Sequence, residues 1–184
     1  MVRSIVDYNL SSLDGITYMY YTQEPQFEFG AGLSYTTFSL TWFSAGADVA
    51  RVDSEAFSAA CASAPPRECA AAPSYAVNIT NSGNVVSDVS VLAFLQGTGE
   101  PDTPLRQLFD FERVAALAPG QTATVIFTVP LAVAASARAD GSTVLRAGAR
   151  GVAIGLPGQQ MLRGRLEVVG ARLSELTPPL PDLR

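Results

Sequence analysis

The chain has 184 residues, 48% hydrophobic and 16% charged, enough length and apolar content for one domain with a real core and too apolar for a disordered segment. Net charge is −5, and the 12 basic residues are all arginines scattered along the chain; with no basic face to grip phosphates, nucleic acid is excluded as a partner. There is no histidine, which removes imidazole general-base chemistry, histidine-activated nucleophiles and the commonest metal ligand, so any catalysis here would have to rest on carboxylates.

After Arg3 the chain reads Ser-Ile-Val-Asp-Tyr-Asn, which interrupts any apolar leader before it begins; no secretory signal is expected and localisation is left open. The longest apolar runs, such as Val129 to Ala135, are too short to cross a bilayer, so no membrane partner is expected. Residues 1–37 are rich in tyrosine, glycine and serine without a sustained period, and read as an irregular, aromatic-laden connector. Phe38-Ser-Leu-Thr-Trp42 alternates and predicts a strand. Residues 44–73, rich in alanine, serine and proline and holding both cysteines, read as a loop insertion.

From Tyr75 the strand signals recur at short spacing. Tyr75, Val77 and Ile79 share one face, and the run stops at Asn81-Ser-Gly-Asn84. Val89, Val91, Ala93 and Leu95 alternate in the next strand, with Leu92 and Phe94 on its other face, so both faces are expected to be buried there. A loop over 96–104 leads to an aromatic run, Leu108 to Val114. After Pro119-Gly120, Ala123, Val125, Phe127 and Val129 should face inward while Thr122, Thr124, Ile126 and Thr128 face outward. The alanine-rich stretch 130–139 can form a helical turn, limited by Pro130. Further strands are expected at 143–146, 150–155 and 163–169, with turns at Asp140-Gly141 and Leu156-Pro-Gly158. This spacing predicts an all-β, two-sheet immunoglobulin-like sandwich over residues 38–170, followed by a Pro-rich tail over 171–184 outside the core.

The segment Tyr18-Met-Tyr-Tyr-Thr-Gln-Glu-Pro-Gln-Phe-Glu-Phe-Gly-Ala-Gly-Leu-Ser-Tyr-Thr-Thr-Phe38 resembles the connector of family 3 glycoside hydrolases. There a Tyr-rich element leads through Phe-Gly-x-Gly-Leu-Ser-Tyr into a fibronectin type III-like domain. Val77-Asn-Ile-Thr-Asn-Ser-Gly83, Pro104-Leu-Arg-Gln-Leu108 with Phe111-Glu-Arg-Val114, Leu117-Ala-Pro-Gly120 and Ala147 to Gly155 resemble that domain's later motifs, in the family's order across residues 7–156. Glu28 stands where the family usually has proline and Asp110 where it has glycine. The Tyr-Met-Tyr-Tyr version and the cysteine-bearing insertion lean toward the β-xylosidase-like branch over the β-glucosidase type.

The resemblance implies the C-terminal region of a retaining glycosidase, often extracellular, whose nucleophile and acid/base lie in upstream domains. This chain alone is therefore expected to be inactive, to have those catalytic domains as its partner and to be sticky when isolated; whether Met1 is the true start stays open, the missing signal and the mid-domain opening favouring an internal methionine of a longer reading frame. A stand-alone module binding polysaccharide or a protein is the alternative.

Individual residues carry narrower expectations. The aromatics Tyr20, Tyr21, Phe27, Phe29 and Tyr35, with Tyr18, are candidates for a domain interface or the rim of a sugar site. Gly30-Ala-Gly32-Leu-Ser34 has tyrosine, not glycine, at 35 and lacks a strand-turn-helix setting, so it is read as a tight crossing and not a dinucleotide loop. Glu24, Glu28, Asp48, Asp53 and Glu55 are read as solvated charge, with a weak calcium site as the minor alternative. Cys61 and Cys69 leave a disulfide and two free thiols equally open, and without histidine they exclude zinc. Asn9-Leu-Ser and Asn78-Ile-Thr are glycosylation triplets. No catalytic residue, cofactor or metal is expected.

Overall fold

A computed structural model describes residues 6–61, 72–99, 103–138 and 142–177. Two sheets face each other across one apolar core. The smaller sheet is β1 (Phe38–Trp42), β3 (Ser74–Asn81) and β6 (Thr122–Thr128), ordered β1-β3-β6 and antiparallel throughout. The larger holds β2 (Val49–Asp53), β4 (Ser87–Gln96), β5 (Arg106–Leu117), β8 (Thr143–Leu156) and β9 (Gln160–Thr177), in the order β2-β9-β8-β4-β5, with β7 (Ser136–Ala137) against β8. This is the all-β sandwich the strand spacing predicts.

Alternation puts the core where the sequence pattern places it. Tyr75, Val77 and Ile79 of β3 and Phe127 of β6 are buried against Val89, Val91, Ala93 and Leu95 of β4 and Ile154 of β8. Each large apolar side chain removed from water in this way contributes about 1.5–3 kcal/mol. On the other face of β6, Ile126 is exposed, as the pattern requires. The Tyr75 hydroxyl reaches across the sandwich to donate to the Arg165 carbonyl at 3.0 Å, and its ring lies 6.1 Å from that of Trp42.

Three expectations are corrected. The 44–73 insertion is not all loop: Val49–Asp53 forms β2, which pairs parallel with β9, and Ser54–Cys61 forms helix α2. The Asp53 carboxylate accepts from the backbone N–H groups of Glu55 and Ala56, both at 3.0 Å, which caps the helix and so fixes its start. Phe57 then points inward and joins the core fully buried. The strands expected at 143–146 and 150–155 are one strand, β8, that continues through a register shift between Arg146 and Gly148. Finally, β9 runs to Thr177, so the first half of the expected tail continues a sheet strand; residues 178–184 lie outside the described residues. The helical turn after Pro130 is present as α3 (Leu131–Ala134), and Gly158, at φ +75°, closes the turn between β8 and β9.

Candidate functional site

The connector has one short helix, α1 (Thr17–Tyr20), and no strand among its described residues, yet it is firmly seated. Leu92 and Phe94 project from the face of β4 away from the sandwich core, and the connector covers them. Tyr18 stacks on Phe29 with ring centroids 4.0 Å apart, and both rings meet Phe94 edge-on at 6.1 and 6.3 Å. The Arg106 guanidinium lies over the Phe94 ring, 5.4 Å from its centroid. Gly30 has φ +81°, and a Cβ there would stand 2.5 Å from Leu92 Cδ2, so any other residue would strain the backbone and push the Leu92 side chain aside.

Polar bonds hold the same seam. The Leu105 N–H donates to the Met19 carbonyl at 2.7 Å, the Leu108 N–H to the Tyr18 hydroxyl at 3.1 Å, and the Gln159 amide to the Gly32 carbonyl at 3.0 Å. At the connector's end, Asn81 is a fully buried junction. Its Oδ1 accepts from the Thr36 hydroxyl at 2.8 Å and the Gly83 N–H at 3.1 Å, and its Nδ2 donates to the Val85 and Leu117 carbonyls, both at 2.8 Å. One side chain thus ties connector, β3–β4 turn and the end of β5.

The candidate aromatics divide. Tyr18 and Tyr20 are half-buried against the sandwich, and Phe29 is partly spent in the stack on Tyr18. By contrast Phe27 is 79% exposed, Tyr35 is 95% exposed, and Leu33 beside it is wholly exposed. Between the connector and the start of β5 lies a groove of about 480 Å³ lined by Tyr18, Tyr21, Phe27, Phe29, Leu105 and Arg106. Glu28 sits at this groove, 3.9 Å from Arg106.

The remaining candidates do not converge on it. Asp53 caps α2, and among the described residues no three His, Cys, Asp or Glu side chains come together to hold a metal. Asn9 Oδ1 accepts from the Ser11 backbone and hydroxyl, and Asn78 lies on the outer face of β3, where its Oδ1 accepts from Thr124 at 2.7 Å. The Cys61–Cys69 pairing falls outside the described residues. Asn81 and the Arg106–Phe94 contact were not singled out from sequence, although Phe94 on the wrong face of an alternating strand was the visible cue that something covers that face.

A family model described as a fibronectin type III-like domain matches residues 91–156. Exo-1,4-beta-xylosidase from Aspergillus oryzae is 34% identical over 161 residues, 81% of this chain and 20% of its own. This chain is therefore the fibronectin type III-like region of a family 3 glycoside hydrolase. A probable exo-1,4-beta-xylosidase of Aspergillus flavus is also 34% identical, over 159 residues and the same shares. Among solved structures, a family 3 exo-beta-xylosidase held with a xylobiose aziridine probe superposes with a TM-score of 0.79 and 24% identity, covering 98% of this chain and 24% of that one. At that identity the superposition establishes the fold. The fibronectin type III-like region and its connector span about a fifth of the length of these curated relatives.

Proposed function

We propose that this chain acts as the non-catalytic buttress of a β-xylosidase: the sandwich fixes the connector, and the connector's outer face docks on the catalytic domains. The reaction of the whole enzyme would be retaining release of terminal β-linked xylose, with both carboxyls supplied from those domains. The observation that carries this reading is the two-sided connector. One side is bonded to the sandwich, while the other presents Phe27, Leu33 and Tyr35 to solvent. Large apolar groups held in fixed positions and left uncovered mark a surface built for a neighbour. In relatives that share about four-fifths of this chain, roughly four-fifths of their own length lies beyond it, which provides that neighbour. Four of the described carboxylates serve structure: Asp53 caps α2, Asp88 pairs with Arg113, Glu28 with Arg106 and Glu167 with Arg165.

The test is a chimera in which this chain replaces the matching region of the Aspergillus oryzae exo-1,4-beta-xylosidase. The chimera is expected to release xylose from an aryl β-xyloside and the isolated chain to release none. Changing Phe27, Leu33 and Tyr35 together to serine should abolish the chimera's activity without unfolding the isolated chain. Sugar release by the isolated chain, or a chimera indifferent to the triple change, overturns the reading; retention of the isolated chain on xylan would favour a binding module instead.

A further inference from the structure

A second cavity, of about 280 Å³, opens between the connector, the β4–β5 loop and α3. Its lining includes Tyr20, Leu95, Thr98, Thr103, Ser136 and, from β8, Arg150. Arg150 is the unusual member. Its Nε–H donates to the Gln96 carbonyl at 3.0 Å and its Nη1 to the Ala134 carbonyl at 2.8 Å, so the guanidinium is clamped in one orientation by two strictly neutral acceptors. No carboxylate pairs with it among the described residues, although the chain as a whole carries a net charge of −5. Burial lowers its pKa to about 10, so it remains a cation at neutral pH. A guanidinium has five N–H donors in a planar fork, and the two carbonyls leave Nη2 and one N–H of Nη1 without an acceptor among the described residues. In the same cavity lining, the Thr98 hydroxyl is buried and has no hydrogen-bond partner among the described residues. The buried Thr98 hydroxyl left in this way costs free energy that an arriving ligand would recover, while the spare N–H groups of Arg150 are not buried.

We propose that this cavity is a carboxylate-binding site, in which Arg150 holds the two oxygens of a small carboxylate and the Thr98 hydroxyl donates to one of them. A fork fixed in advance suits a planar two-oxygen anion better than a neutral sugar hydroxyl, because no side-chain ordering remains to be done on binding. At about 280 Å³ the cavity is large enough for a carboxylate on a single sugar ring or on an acidic side chain.

The experiment follows the arginine Nε–Hε signals of the ¹⁵N-labelled chain by NMR at neutral pH and constant ionic strength. The probes are sodium glucuronate, N-acetylglutamate methylamide and xylose. One signal, absent in Arg150→Gln, is expected to shift saturably with a carboxylate probe and to stay put with xylose. Response to glucuronate alone assigns a sugar acid, response to the glutamate derivative alone assigns an acidic side chain, and response to both supports the shared chemistry. Thr98→Val should weaken binding by about tenfold, the loss of one charged hydrogen bond, and it carries the test if Arg150→Gln fails to fold. No saturable shift with either carboxylate, an equal response to xylose, or affinity unchanged in both variants overturns the proposal.

Discussion

Replacing Asn81 by alanine would test whether the connector and the sandwich are one cooperative unit. The substitution removes four side-chain hydrogen bonds, to the Thr36 hydroxyl, the Gly83 N–H and the Val85 and Leu117 carbonyls. Each contributes about 0.5–1.5 kcal/mol net, and two carbonyls would be left facing an apolar hole, so a loss of about 3–5 kcal/mol is expected. For a chain of this size that lowers Tm by roughly 8–15 °C. Urea unfolding followed by the fluorescence of Trp42 gives the equilibrium value. Asn81→Asp sharpens the test, because it keeps the shape and the acceptor but turns the donor into a second oxygen, 2.8 Å from two carbonyls. Its folded-state pKa must then lie above the unfolded value of about 3.9. The penalty is therefore complete above the folded pKa and shrinks as pH falls through it, because the protonated acid can donate to one carbonyl. Asn81→Ala within about 1 kcal/mol of the parent, or Asn81→Asp as stable as the parent at pH 7, would show that the junction bonds do not hold the fold.

Phe57→Ala should cost about 3–5 kcal/mol in the same unfolding assay, since it empties a fully buried site where α2 enters the core. Burial pushes the Tyr75 phenol well above its ordinary value, against a smaller lowering by the Ala50 backbone. Above about pH 10 the unfolded state releases that proton and the folded state keeps it, so stability should fall with rising pH, and ultraviolet titration should find one tyrosine that ionises only on unfolding. The Asp88 carboxyl is held below its ordinary value, first by the Arg113 side chain and then by the Ala116 N–H, so its stabilising share is present above the ordinary carboxylate range and lost as pH falls through the depressed pKa. Carbon-detected NMR titration should show that midpoint moving back up in Arg113→Gln.

The sandwich was legible because β3 and β6 alternate cleanly: Tyr75-x-Val77-x-Ile79 and Val125-x-Phe127-x-Val129 turn one face to the core. What was hidden has weaker periodicity. In β2 only Ala50 and Val52 turn inward while Val49 is exposed, so five residues of parallel edge strand carry almost no pattern. The Asp53-Ser-Glu start of α2 is a capping signal, overshadowed by the alanines and prolines that follow. Gly148 read as the gap between two strands because glycine usually interrupts one, whereas here it accommodates a shift inside β8. The docking face was legible as a set of aromatics but not as a geometry. Which rings turn inward depends on Phe94 and Leu92, more than fifty residues away in sequence. Arg150 gave no cue, because its isolation from every described carboxylate is a property of three-dimensional neighbours alone.

The parallel pairing of β2 with β9 also bears on how the protein behaves in company. β9 is the longest strand among the described residues, and its central stretch from Arg165 to Val169 would offer a row of open N–H and carbonyl groups if nothing lay beside it. Such a row is a template on which a second chain can extend the sheet. The insertion lays β2 along that row and anchors it with a helix plugged into the core by Phe57. A segment that reads as dispensable padding thereby replaces a long open edge with the short edge of β2, which offers a second molecule far less to pair with. A chain with residues 44–73 shortened to a tight turn should keep its sandwich yet grow into fibrillar aggregates, visible by light scattering long before any loss of β-structure.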